Sequence, residues 1–171
     1  TDLMAIPLGD FNRGALPQPT FDWQGQRLAA TICYENLFSE ELSIQFLVDA
    51  KAPTILVNVS NLGWFGESLA MDQHLQIARL RALEFDRSFL LATNTGLTAF
   101  VDHRARVIRA AAPHQATALR GTVEGRTGIT PYAWWAARWG QWPMMFTGLG
   151  LLFLAWFRRP GKVPRDRGIS P

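Results

Sequence analysis

Apolar and polar positions along this chain follow two different periods. RLAATI at 27–32 is a short apolar run, and TILVNVS at 54–60 is β-branched and nearly continuous, as expected for a strand buried on both faces. Between them Ser39 is a predicted N-cap, and Glu40 and Glu41 put negative charge into a first helical turn. Leu42, Phe46 and Leu47 supply an apolar stripe that Pro53 brings to an end. Met71, Leu75, Ala78, Ala82, Phe85 and Phe89 then recur at steps of four and three, which lines up one face of a long helix. FLLAT at 89–93 and LTAFVD at 97–102 read as strands, with RVIRAA pairing back across the polar connection DHRA. Strand, helix, strand, helix, strand and hairpin predict a layered α/β or α+β domain with helices on a mainly buried sheet. The first twenty-five residues, punctuated by Pro7, Gly9, Gly14, Pro17, Pro19 and Gly25, read as loop.

Beyond the domain the pattern changes. WPMMFTGLGLLFLAWF at 142–157 carries no charge, and Trp139, Trp142 and Trp156 stand at its ends. A bilayer core takes roughly twenty apolar residues, with about seventeen as a lower limit, so the run is a short membrane-helix candidate. The alternative is a buried helix of a soluble core. Arg158, Arg159, Lys162, Arg165 and Arg167 follow at once, with Asp166 the only acid among them. The net charge of +3 is therefore concentrated at a membrane flank, and nucleic acid is not an expected partner. By the positive-inside tendency the arginine-rich tail is cytoplasmic and the domain lies on the other face of the membrane.

Composition leaves one thiol. Cys33 excludes an intramolecular disulfide framework and a cysteine-rich zinc site, leaving a core thiol or a nucleophile. It stands where a strand gives way to a loop before a helix, a place that projects side chains into the cleft at a strand's carboxyl end. A thiol nucleophile needs a neighbouring base or positive charge. Glu35 is close in sequence; His103 and His114 fall in predicted turns and His74 near the start of the long helix. No metal-ligand spacing is present, and no metal or cofactor is expected.

ICYENLFSEE, VNVSNLGWFGES and QHLQIARLRALEFDRSFLLATNTGLTAFVD, in that order, together with GITPYA and the apolar run, resemble the nitrilase (carbon-nitrogen hydrolase) superfamily and its membrane-bound lipoprotein acyltransferase branch. The resemblance implies a four-layer αββα sandwich. Residues 1–133 would be the carboxyl-terminal part of that catalytic domain, 134–158 an interfacial segment and one transmembrane helix, and 159–171 a basic cytoplasmic tail. It implies a Glu-Lys-Cys triad with Cys33 as nucleophile. Only Asp2, Asp10 and Asp22 precede Cys33 as acids, and the lysines are Lys51 and Lys162, so the triad's glutamate and lysine are expected upstream in a longer polypeptide. Glu35 matches a second glutamate that supports the thiol, the alternative being an acid at the start of a helix. The backbone N–H of Tyr34 would help hold the oxyanion. Trp64 and Phe65 match residues lining an acyl-chain site, the alternative being core packing.

The implied reaction passes an acyl chain from a phospholipid, through a thioester on Cys33, to the amino-terminal nitrogen of a lipoprotein's diacylglyceryl-cysteine. Its setting would be a bacterial inner membrane, with the catalytic domain on the periplasmic face. The rivals are a membrane-tethered amidase-like hydrolase using the same cysteine and a non-catalytic domain, should the chain be complete.

Overall fold

The computed structural model describes residues 14–158 with the exception of Glu67. Six strands form one sheet: β1 (Phe21–Trp23), β2 (Gln26–Ile32), β3 (Ile55–Ser60), β4 (Ser88–Thr93), β5 (Ala99–Val101) and β6 (Val107–Ala110), in that spatial order. β2, β3 and β4 run parallel at the centre, and β1, β5 and β6 join the two sides antiparallel. Parallel neighbours need crossovers. The first runs through a 3-10 turn (Cys33–Leu37) and the short helix α1 (Ser39–Ser43); the second runs through α2 (Ala70–Phe85).

The predicted elements are present, with local corrections, the first being that Phe21–Trp23 forms a strand where loop is expected through residue 25. Phe38, not Ser39, occupies the N-cap of α1, and Ser39 spends its hydroxyl on the Tyr132 hydroxyl. Leu42 and Phe46 are buried as expected, whereas Leu47 is exposed. The stripe of α2 stops at Phe85, because Asp86 takes the left-handed conformation at φ 53° and turns the chain away. Phe89 therefore lies on β4, although it packs into the same core.

Only one face of the sheet is fully covered. Ala29, Leu56, Phe89, Leu91 and Val101 join Leu42, Phe46, Ala78, Ala82 and Phe85 in a single core. On the opposite face Leu28, Ala30, Val57, Leu90 and Phe100 are half-buried, while Ile32 is 64% and Val59 48% exposed. β3 is thus not buried on both sides here. Residues 124–128 cross the amino-terminal ends of β3 and β4, where Arg126 N–H donates to Thr54 O and Ser88 Oγ donates to Glu124 O.

The block RALE…R is structural in this setting. Arg81 and Glu84 pair within α2 at 3.1 Å. Burial pushes the Glu84 carboxyl up, Arg81 opposing this and Glu40 adding to it. Arg87, 1% exposed, donates to Pro53 O, Phe85 O, Asp86 O and Gly128 O, so one guanidinium ties β3's approach, the end of α2 and the crossing segment together.

The chain divides into two compact units, Thr1–Arg138 and Trp139–Pro171. α3 (Pro131–Trp139) is anchored in the first by buried Ala133 and Ala136 and by Tyr132, whose ring meets Phe85 edge-on at 5.8 Å. The second contains α4 (Trp142–Phe157), sixteen residues of which all but Pro143 are exposed. Among the described residues no helix is long and apolar enough to cross a membrane. At 1.5 Å per residue α4 spans about 24 Å, less than a hydrocarbon core of about 30 Å. Over 134–158, where an interfacial segment and one apolar helix are expected, the chain forms the end of α3 and then α4, with Gly140 at φ 53° between them. The basic tail from Arg159 onward lies outside the described residues.

Candidate active site

The carboxyl ends of β2, β3 and β4 converge, and the residues that follow them are tied to one another. Leu62 N–H donates to Asn94 Oδ1 at 3.0 Å, and Asn94 Nδ2 donates to Asn61 Oδ1 at 2.6 Å. A Cβ on Gly96 would come within 2.5 Å of Leu62 Cδ1, so SNLG and TNTG are two loops locked edge to edge.

Cys33 begins the turn after β2 with φ 52°, a left-handed conformation that costs a non-glycine residue roughly 1–2 kcal/mol. A strained residue at a strand's carboxyl end presents its side chain above the sheet. Two groups hold the turn. Glu35 Oε2 accepts the Ile32 N–H at 2.6 Å, so this acid braces the residue before the thiol. From β3, Asn58 Nδ2 donates both to Cys33 O and to Thr31 Oγ1, each at 2.9 Å. Tyr34 sits between two rings, edge-on to Phe65 at 5.5 Å and to His74 at 5.7 Å. Burial, and then the charge of the neighbouring Cys33, push its phenol above the usual tyrosine value.

Trp64 and Phe65 form a 3-10 turn with Gly63 and are 56% and 41% exposed, so neither is a core residue. Phe65 lies against Tyr34 and hence beside the thiol's turn. Gly66, which follows at φ 56°, carries the chain out of that turn.

Asn58 and Ser60 are not singled out in the sequence, and His74 is weighed there only as a base. Asn58 is fully buried, and its Oδ1 receives Ser60 Oγ at 2.5 Å and His74 Nε2 at 3.0 Å. His74 is itself fully buried on α2, and burial lowers its pKa, so the ring is neutral near pH 7. The sequence carries one hint: Asn58 and Ser60 alternate with Val57 and Val59, placing amide and hydroxyl on one face of an apolar strand.

The sequence profile of the carbon-nitrogen hydrolase family matches residues 5–126. This chain belongs to that family. An apolipoprotein N-acyltransferase of Verminephrobacter eiseniae is 56% identical over 147 residues, which are 82% of this chain and 27% of the relative. One from Bordetella bronchiseptica is 50% identical over 168 residues, covering 96% of this chain and 30% of the relative. The chain therefore spans less than a third of the length of these relatives. Among solved structures, a CN-hydrolase superfamily protein from Xanthomonas campestris aligns with a TM-score of 0.50 at 18% identity, over 75% of this chain and 49% of that one. The shared fold is the mixed sheet with helices described above.

Proposed function

We propose that this chain is the carboxyl-terminal part of an apolipoprotein N-acyltransferase in which Cys33 carries the acyl group. The observation that carries the reading is the strained, doubly braced Cys33 turn beside an exposed aromatic pair, Trp64 and Phe65. The identity to enzymes of that name supports the substrate class. The Cys33 sulfur attacks the ester carbonyl of a phospholipid, the ester C–O bond breaks, and the lysophospholipid leaves with a proton. The α-amino group of a lipoprotein's diacylglyceryl-cysteine then attacks the thioester; the amide forms, the C–S bond breaks and the amine's proton returns to the thiol side of the site. A thioester suits both halves, since a neutral amine can displace it.

In this reading Glu35 supports the turn, the Tyr34 N–H faces the oxyanion, and Trp64 and Phe65 receive the acyl chain. The general base and the oxyanion lysine come from upstream sequence, which also supplies the second sheet of an αββα sandwich against the half-open face of β2 to β4. α4 is apolar on every side and exposed on every side, a pattern suited to lipid, with its ends extended through Trp139 and Arg158. The enzyme would sit in the inner membrane, domain outside and arginine tail in the cytoplasm.

Incubation of the complete polypeptide with phospholipid should leave a hydroxylamine-labile acyl group on Cys33, and Cys33→Ser should abolish transfer. Normal transfer by Cys33→Ser would overturn the reading, whereas acylation by small amides instead of phospholipids would favour hydrolysis. A cytoplasm-only reporter should work after Pro171 and fail near Gly125; reversed signals would invert the orientation.

A further inference from the structure

The reading of Cys33 as nucleophile leaves a buried histidine without a role. His74 is fully buried, and its Nε2 lies 3.0 Å from Asn58 Oδ1 and 2.9 Å from Ser60 Oγ. The orientation of the Asn58 amide settles the direction of these bonds. Its NH2 group must point at Cys33 O and Thr31 Oγ1, because an oxygen placed there would face the Cys33 carbonyl and Thr31 already gives its own proton to Val57 O. Oδ1 then points at His74 and can only accept. His74 therefore donates from Nε2–H, and its bare Nδ1, buried without a hydrogen-bond partner, is the acceptor face of the ring. Ser60 cannot set this orientation by itself, since a hydroxyl rotates to donate or accept. The opposite histidine tautomer would bury an unpaired N–H, a rarer and more costly arrangement.

The geometry points to His74 as a positioning residue for Cys33: by donating from Nε2 it locks the Asn58 amide so that Nδ2 holds the Cys33 carbonyl, keeping the thiol in its left-handed turn. The inference rests on Cys33 being the reactive group, and not on which acyl donor it meets. The same ring also backs Tyr34, so packing and donation must be separated by choice of variant.

In the complete polypeptide, His74→Phe keeps an aromatic ring against Tyr34 and removes the donor. His74→Gln keeps a donor near the Nε2 position. Alkylation of Cys33 by iodoacetamide and single-turnover acylation by phospholipid vesicles should both slow about tenfold in His74→Phe, with KM unchanged, and return to within about threefold of the parent in His74→Gln. Asn58→Ala should cost a similar factor, and the double variant His74→Phe/Asn58→Ala no more than either alone, because one acts through the other. If His74→Phe fails to fold, nearly isosteric Asn58→Asp reads the same lock: an acceptor facing the Cys33 carbonyl should slow alkylation at least as much. Multiplied losses in the double variant, unaltered alkylation in His74→Phe, or unaltered alkylation in Asn58→Asp would each overturn the assignment. Coupled alkylation losses in a protein that forms no thioester with phospholipid would leave the positioning role standing and remove the acyltransferase reading.

Discussion

Cys33, the proposed nucleophile, sits in a strained turn, and the strain can be measured apart from the thiol. Glycine adopts a φ of 52° freely, so Cys33→Gly should be more stable than Cys33→Ala by about 1 kcal/mol in urea melts, although both lack the thiol. Equal stabilities would mean that the turn stores no strain. His74 gives a second residue-level expectation. Its folded pKa lies below the ordinary 6.5 because of burial, so below pH 6.5 the unfolded chain takes up a proton that the folded chain resists. The histidine's contribution is fully present above that pH and declines as pH falls toward the depressed folded value. Chemical melts at pH 7.5 and 5.5 should show a larger loss for the parent than for His74→Gln; identical losses would show that His74 titrates normally. Cys33 itself was legible in the sequence, because a lone thiol after an apolar run is a local signal. Its braces were less so: Glu35 lies within the same turn, but Asn58 and His74 reach it from β3 and α2, and no local period records a contact made across a sheet.

Arg87 joins three elements, two of which Arg126 also links through Asp86 Oδ2. It is buried and donates to four carbonyls, so Arg87→Met should cost about 3 kcal/mol or more, by leaving buried acceptors unpaired. Hydrogen exchange should show the loss first near Gly128 and Pro53, where the clamp joins segments distant in sequence. Protection lost uniformly, or a cost below 1 kcal/mol, would reduce Arg87 to a surface-like charge. The elements themselves were largely readable, since β2, β3 and the α2 stripe follow the periods that their side chains set. Boundaries failed where a single backbone dihedral decided them. Asp86 ended α2 ahead of Phe89 with a left-handed residue that is not glycine.

At the scale of the molecule the sheet is unequal on its two faces. Ile32 and Val59 are exposed on the face that the proposed second sheet would cover. Val59→Glu should scarcely change the melting of this chain alone, yet should destabilise the complete polypeptide by about 2 kcal/mol or more, through an unpaired carboxylate buried between sheets. Equal effects in both would argue against a second layer there. The sequence pattern revealed strands but not this asymmetry, because an apolar strand reads alike whether one or both faces are covered. The clamp on Cys33 also has a place in time. Thr31, Cys33 and Glu35 leave the ribosome before Asn58, and Asn58 before His74, so the thiol emerges on a chain whose restraining amide and imidazole have yet to be synthesised. The full set of braces on its left-handed turn can close only after α2 has been made, which would delay the shaping of the proposed nucleophile until then.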